Sequence, residues 1–184
     1  YRYTVIDSHL PSAGRPLEAY RAGAAAAVGG DALRSAYRDY AIGHGVDAVR
    51  ALVRDPASTR HVWSRDEGYP GAFRYLEFHK IRWPGGLKLW EVTGAGVSLG
   101  DKRSYDAGAA RALAGEHARH FAGLLDGIAR RATPAETLIV APFDSELFGH
   151  WWFEGPDFLA DTYRSLRAHP GVQITECRRG TPAC

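Results

Sequence analysis

The sequence predicts an α/β protein with parallel strands. Three observations carry this. Short apolar runs alternate with segments of helical period, in the order strand, helix, strand, helix, strand. One run, TLIVAPFD at 137–144, is almost unbroken in its apolar character, the mark of a strand covered on both faces. The chain has 184 residues, 45% hydrophobic and 24% charged, which suffices for one ordinary domain with a sizeable core.

The elements follow in order. YTVID at 3–7 reads as a short strand, and Pro11, Gly14 and Pro16 punctuate a loop after it. Residues 17–28 suit a short helix, with the Ala/Gly-rich AGAAAAVGG at 22–30 as its end and stop. VDAVRALVR at 46–54 fits either period: Val46, Val49, Leu52 and Val53 lie on a helix face, while Val49, Ala51 and Val53 alternate as in a strand. Asp55-Pro56 reads as a turn, and RHVWS as a second extended run. GYPG at 68–71 is a loop that displays Tyr69 at a bend. LKLWEVTG at 87–94 is a strand, and the Gly- and charge-rich stretch 95–103 a loop.

The clearest helix runs from about Ser104 to Arg131. Ala110, Leu113, Ala114, His117, Phe121, Leu124, Leu125 and Ile128 fall on one face. Ser104 is placed to cap its start, Asp106 and Arg130-Arg131 suit its two ends, and Pro134 stops it. After the run 137–144, Pro156 opens a helix with Phe158, Leu159, Thr162, Tyr163 and Leu166 on one side, ending before Pro170. VQITECR at 172–178 is the last strand.

Composition narrows the function. Net charge is +2 with no long basic run, so no nucleic-acid partner is expected. No stretch approaches the ~20 apolar residues of a membrane span. Cys177 and Cys184 have no metal spacing and make no disulfide framework, so a reducing, cytoplasmic setting is the default. The His residues form no HxxxH pair, and neither metal nor cofactor is expected. The chain begins at Tyr1 and contains no Met, so it is expected to be a processed or truncated product.

The densest chemical signal is FDSELFGHWWFEGP at 143–156. An apolar run ends in Asp144, followed by Glu146, His150, Trp151 and Trp152. An acid at the carboxyl end of a strand sits at the mouth of an α/β barrel. Neighbouring aromatics would lower the local dielectric, raise the carboxyl pKa and suit it to general acid work. Indole faces also stack on sugar rings. The plainer reading makes Asp144 a helix cap, Glu146 a salt-bridge residue, His150 a satisfied buried histidine and the tryptophans core.

FDSELFGHWWFEGP resembles the fourth signature region of glycoside hydrolase family 57, and within it most closely the α-1,4-glucan branching enzymes. Other segments agree in order: HVWSRDEGYPG at 61–71, GLKLWEVTG at 86–94 and KRSYDAGAARALAGEHARHF at 102–121. GYPG is followed by Ala72 where the family commonly has Asp, and the stretch between His79 and Gly86 is shorter than in that group.

The resemblance implies the C-terminal part of an incomplete seven-stranded β/α barrel across residues 1–184, without the N-terminal half or the helical domain that usually follows. It implies a retaining enzyme that cuts an α-1,4 bond and passes the glucan to a sugar 6-hydroxyl, as in glycogen synthesis. Asp144 then corresponds to the general acid/base. The family nucleophile, a Glu in a WxPE-type motif, is not in this sequence, so the N-terminal half of the barrel is an expected partner and the isolated segment is expected to be inactive.

The resemblance favours the strand reading of 47–54, paired with 59–64. Tyr69 becomes a candidate to close over bound glucan, and Trp90 a candidate sugar platform. His150, Trp151 and Trp152 complete the candidate glucan contacts. The two adjacent tryptophans face opposite ways on an extended segment, so at most one lines the site. Trp63 is expected to pack. A 4-α-glucanotransferase or amylase of the same family is the alternative enzyme, and a non-catalytic carbohydrate-binding remnant the alternative of another class.

Overall fold

The computed structural model describes residues 3–8, 10, 15–16, 35–43, 48–64, 67–78, 90–133 and 138–175. They form a mixed α/β fold divided into two units. Unit 1 takes Tyr1–Thr59, Gly127–Pro142 and Gln173–Cys184, and unit 2 takes Arg60–Asp126 and Phe143–Val172. The expected helix at 17–28, the Ala/Gly stretch 22–30, both cysteines and the first part of the strand expected at 87–94 lie outside the described residues.

Unit 1 is built on one small sheet. Its strands are β1 (Tyr3–Ile6), β2 (Arg15–Pro16), β3 (Asp39–Ile42) and β4 (Val49–Val53), in the order β1-β4-β3-β2. β1 and β4 are parallel, with Tyr3 opposite Arg50 and Ile6 opposite Val53. β3 runs antiparallel to β4, and β2 antiparallel to β3. The expectation of parallel strands throughout is therefore corrected: the sheet is mixed. Pro16 sits on the edge strand, where a missing N–H breaks no interior ladder. Tyr40, Ala51 and Val53 form the core of the sheet, with Ile6 and Ala36 packed on it. Buried Asp39 pairs with Arg50 across the β3–β4 ladder.

Two expected strands are not formed as such. Among the described residues of 137–144, Val140 forms a parallel bridge with Arg54, Asp55 N–H donates to Val140 O at 2.8 Å and Leu138 N–H donates to Tyr37 O at 3.1 Å. The described part of this run is half-buried up to Phe143, not covered on both faces. Residues 172–175 form no strand.

A third correction concerns 59–64. These residues belong to α1 (Pro56–Trp63) and pair with no strand. The cause is local. Asp55 is fully buried and accepts a hydrogen bond from Ser58 N–H at 2.6 Å, which caps the helix, while Pro56 occupies the first helical position. The other carboxylate oxygen accepts from Tyr37 Oη at 3.1 Å.

The long helix α2 spans Ala107–Arg131. Ala110, Ala114, Phe121, Leu125 and Ile128 are buried as the period requires, joined by Ala118 and Ala122. Asp106, not Ser104, is the cap: its Oδ1 accepts from Ala109 N–H at 3.0 Å. Ser104 pairs instead with Trp90 as an antiparallel bridge. Asp106→Ala is expected to cost about 1 kcal/mol of stability, the usual value of such a cap. Thermal unfolding checks this, with Ser104→Ala as the comparison that leaves the cap in place.

α3 spans Gly155–Leu166 and buries Phe158, Thr162 and Leu166, while Tyr163 stays exposed. Among the described residues no helix is long and apolar enough to cross a membrane.

Candidate functional site

All six candidate residues lie in unit 2, and four of them share one loop. That loop closes on itself. Asp144 leads into a single 3-10 turn, Ser145–Leu147, in which Leu147 N–H donates to Asp144 O. Phe148 and Trp152 then pair, with Gly149 N–H donating to Trp152 O and Trp152 N–H to Leu147 O, both at 2.8 Å. The reversal needs φ of +95° at position 149, which glycine adopts without strain. At Gly155 a Cβ would come within 2.9 Å of Phe148 Cα, so the motif's second glycine marks a close approach of backbone.

This folding sorts the side chains. Leu147, Trp152, Glu154 and Gly155 are buried, while Asp144, Glu146, His150, Trp151 and Phe153 are exposed. Asp144 stands at the cap position of the turn, yet its side chain makes no cap bond. Its carboxylate has no hydrogen bond or ion pair among the described residues, so a capping role does not account for it. The aromatic enclosure expected around this carboxyl is not built by the loop, because Asp144 is exposed and Trp152 turns inward. Asp144 and Glu146 do not share a face either. Asp144 stands just before the 3-10 turn that carries Glu146, and such a turn rotates successive side chains by about 120°.

Trp151 and Trp152 part company sharply. Trp152 is 1% exposed and packs on Phe158, Tyr75 and Phe148, with ring centroids at 4.7, 5.5 and 6.2 Å. It is a core residue, closed to solvent, and not part of the exposed surface of the loop. Trp151 is 46% exposed, its ring 4.3 Å from Phe78 and 5.3 Å from His150. Its indole N–H donates to Glu146 Oε1 at 3.2 Å. Phe78 also lies 5.6 Å from His150, so the three rings and Glu146 form one surface patch.

Tyr69 is not displayed at a loop tip. It is 6% exposed, in a 3-10 turn with Pro70, and packs on His117, Phe158 and His61. A buried tyrosine needs a partner for its hydroxyl, and Tyr69 Oη lies 2.6 Å from His120 Nδ1. Burial pushes this phenol far above its ordinary pKa. Tyr69 is thus part of the interior, with Tyr75, whose hydroxyl is 2.8 Å from His117 Nδ1. Trp90 is half-buried in a ladder where Leu76 pairs with Glu91 and Trp90 with Ser104, and its indole N–H has no partner among the described residues. Trp63, expected to pack, is 41% exposed, with its ring 6.5 Å from Phe143.

Two further residues join this arrangement and were not among the candidates. Phe78 carries no signal of its own and is far from Trp151 along the chain. Glu154 could have been suspected from the EGP of the motif. It is buried, and its Oε1 accepts from Leu76 N–H at 3.0 Å and from Tyr105 Oη at 2.8 Å, pinning the end of the loop.

The histidines of this interior predict a pH dependence. Burial, and secondly the neighbouring His120, lower the pKa of His61 and His117 from 6.5. The unfolded chain then binds more protons just below that value than the folded one, so stability falls as pH drops through this window. Glu67 and Glu116 oppose the shifts and Arg60 reinforces that of His61, without reversing either. The midpoint of thermal unfolding is expected to decline as pH falls below about 6.5, and less so in His117→Asn. A midpoint that rises over this interval would contradict the assignment. No group of three or more His, Cys, Asp or Glu converges as a metal would require, among the described residues.

No family model matches the chain. Individual proteins do. The chain is 43% identical over 114 residues to a 1,4-alpha-glucan branching enzyme of Thermococcus kodakarensis, covering 60% of this chain and 17% of that one. The crystal structure of that GH57 branching enzyme, in complex with glucose, superposes with a TM-score of 0.75 at 35% identity over 92% of this chain and 30% of that one. A probable 1,4-alpha-glucan branching enzyme of Mycobacterium tuberculosis is 38% identical over 147 residues, covering 76% of this chain and 27% of its own length. The alpha-amylase AmyC of Thermotoga maritima superposes with a TM-score of 0.72 at 30% identity, over 96% of this chain and 35% of that one. The chain therefore spans between about a sixth and a third of the proteins it matches.

Proposed function

Since the chain is homologous to part of the glycoside hydrolase family 57 branching enzymes, we propose that it is a section of a retaining, α-glucan-transferring catalytic domain with Asp144 as general acid/base. One observation carries the proposal: Asp144 is exposed, uncommitted among the described residues, and shares a backbone-bonded loop with an exposed tryptophan. The parallel succession of β1, β4 and Val140 supports reading the sheet as part of an incomplete β/α barrel, with Asp144 soon after the carboxyl end of its last member.

The chemistry follows from the roles. Asp144 protonates the glycosidic oxygen as the α-1,4 bond breaks, while a second carboxylate takes the sugar carbon into a covalent glycosyl-enzyme. Asp144 then removes the proton from an acceptor 6-hydroxyl, which displaces the enzyme and completes an α-1,6 branch. The carboxyls must stand about 5–5.5 Å apart. Glu146 is not assigned as the second one, because the family's nucleophile belongs to a WxPE-type motif that this sequence lacks. The nucleophile comes from polypeptide outside this segment. Trp151, with Phe78 and His150, lies against the glucan, and Trp90 remains a candidate contact. In this reading the reaction needs no cofactor, its product is a branched storage glucan, and it takes place in the cytoplasm.

The test is a chimera in which this segment replaces the matching part of the Thermococcus enzyme. Incubation with amylose is expected to yield α-1,6 linkages, released as short chains on debranching. Accumulation of reducing ends without branches would instead favour hydrolysis, the reading that the similarity to the Thermotoga amylase supports.

A further inference from the structure

We infer that Glu146 is a positioning residue for glucan binding: it holds the Trp151 indole as a fixed sugar platform against Phe78. The inference rests on the reading of Trp151 as a glucan contact and adds the group that sets its orientation.

Glu146 and Trp151 are joined twice. The backbone N–H of Trp151 donates to Glu146 O at 3.3 Å, and the indole N–H to Glu146 Oε1 at 3.2 Å. The indole lies against Phe78 at 4.3 Å, tilted by 42°, with His150 at its edge. These contacts restrain both side-chain torsions of a residue that is still 46% exposed. Exposing an indole and then fixing it has no stabilising purpose of its own, since a free rotamer keeps more entropy and a buried ring hides more apolar surface. It does serve stacking. A flat sugar face gains most from a ring that need not be immobilised on contact.

The occupant this patch fits is an α-1,4-glucan. The indole surface left open supplies the apolar face that sugar C–H groups stack on. The anchoring carboxylate, itself exposed at the rim, has lone pairs beyond the one used by the indole, and these accept sugar hydroxyls. A purely apolar partner would leave that carboxylate desolvated without a donor.

The experiment is calorimetric titration of the chain with maltoheptaose. Trp151→Ala is expected to abolish measurable binding. Glu146→Leu, which cannot accept the indole proton, is expected to weaken it about two- to tenfold, the cost of ordering one free side chain on contact. Glu146→Gln still offers a carbonyl oxygen to the indole and is expected to restore affinity to within about twofold. Far-ultraviolet circular dichroism establishes that each variant keeps the parent fold.

The outcomes separate the two claims. If the parent does not bind maltoheptaose, or Trp151→Ala binds as well as the parent, the glucan reading of this patch fails. If Trp151→Ala loses binding while a folded Glu146→Leu does not, only the positioning role fails. If Glu146→Gln is as weak as Glu146→Leu, the carboxylate acts on the sugar through its charge, and positioning is overturned. Loss of fold in Glu146→Leu would make this residue structural, which also overturns it.

Discussion

Asp144→Asn, made in the chimera that completes this segment, is expected to lower branching by about 10²- to 10⁴-fold, the usual worth of general acid–base help. Affinity for maltoheptaose should change little. Asparagine has nearly the shape of aspartate and can still hydrogen-bond, but it can neither protonate the departing 4-hydroxyl nor deprotonate the incoming 6-hydroxyl. The loss should therefore appear in kcat and not in binding. A substrate with an activated leaving group needs little protonation, so its first step should be partly spared, with the glycosyl-enzyme accumulating. If Asp144→Asn keeps the parental rate and Glu146→Gln loses it, the acid is the other carboxylate. If neither substitution lowers the rate, the loop is not the acid–base centre.

Trp152→Ala is expected to have the largest effect on stability, about 3–5 kcal/mol, as for other large-to-small changes at a filled core site. The ring is almost wholly buried and bridges Phe158, Tyr75 and Phe148. Its indole N–H has no partner among the described residues, so the loss is one of packing and not of a hydrogen bond. In a domain of this size the unfolding midpoint should drop by roughly 6–20 °C. Trp152→Phe keeps most of the apolar volume and should lose much less. Trp151→Ala, at an exposed position, should shift the midpoint far less than Trp152→Ala. Comparable shifts for the two alanine variants would mean that the burial assigned to these neighbours is wrong.

How far the sequence could be read depended on whether local chemistry or tertiary context decided each element. The period of α2 is plain, because its small and apolar residues recur at helical spacing and Ala110, Ala114, Phe121, Leu125 and Ile128 are each buried. Its cap was misplaced by two residues, since Ser104 and Asp106 both suit the position and only the structure sends Ser104 to Trp90. Asp55-Pro56 is a signal that fits two structures. An acid before a proline is a helix start as well as a turn, and the resemblance drew 59–64 toward a strand. β3 was not legible: in Asp39–Ile42 burial fades along the strand instead of alternating, so no period of two marks it. The apolar run at 137–144 misled in the other direction, because apolar character reports burial and not pairing. In the candidate site, the motif marks the loop, but not which of its residues face out. That is set by the 3-10 turn and the reversal at Gly149, and the contribution of Phe78 arrives from elsewhere in the chain.

The way the loop from Asp144 to Gly155 closes on its own backbone bears on how such a protein can change over time. Its inward side chains, Leu147, Trp152 and Glu154, answer to the interior, and its outward ones, Asp144, Glu146, His150, Trp151 and Phe153, to solvent. The bonds that shape the loop run between main-chain atoms and through the buried Glu154, so most of the outward set can be exchanged without dismantling the support beneath it. Substrate preference can then drift by single substitutions at constant fold, while the two glycines, which answer to backbone geometry alone, hold the frame in which that drift takes place.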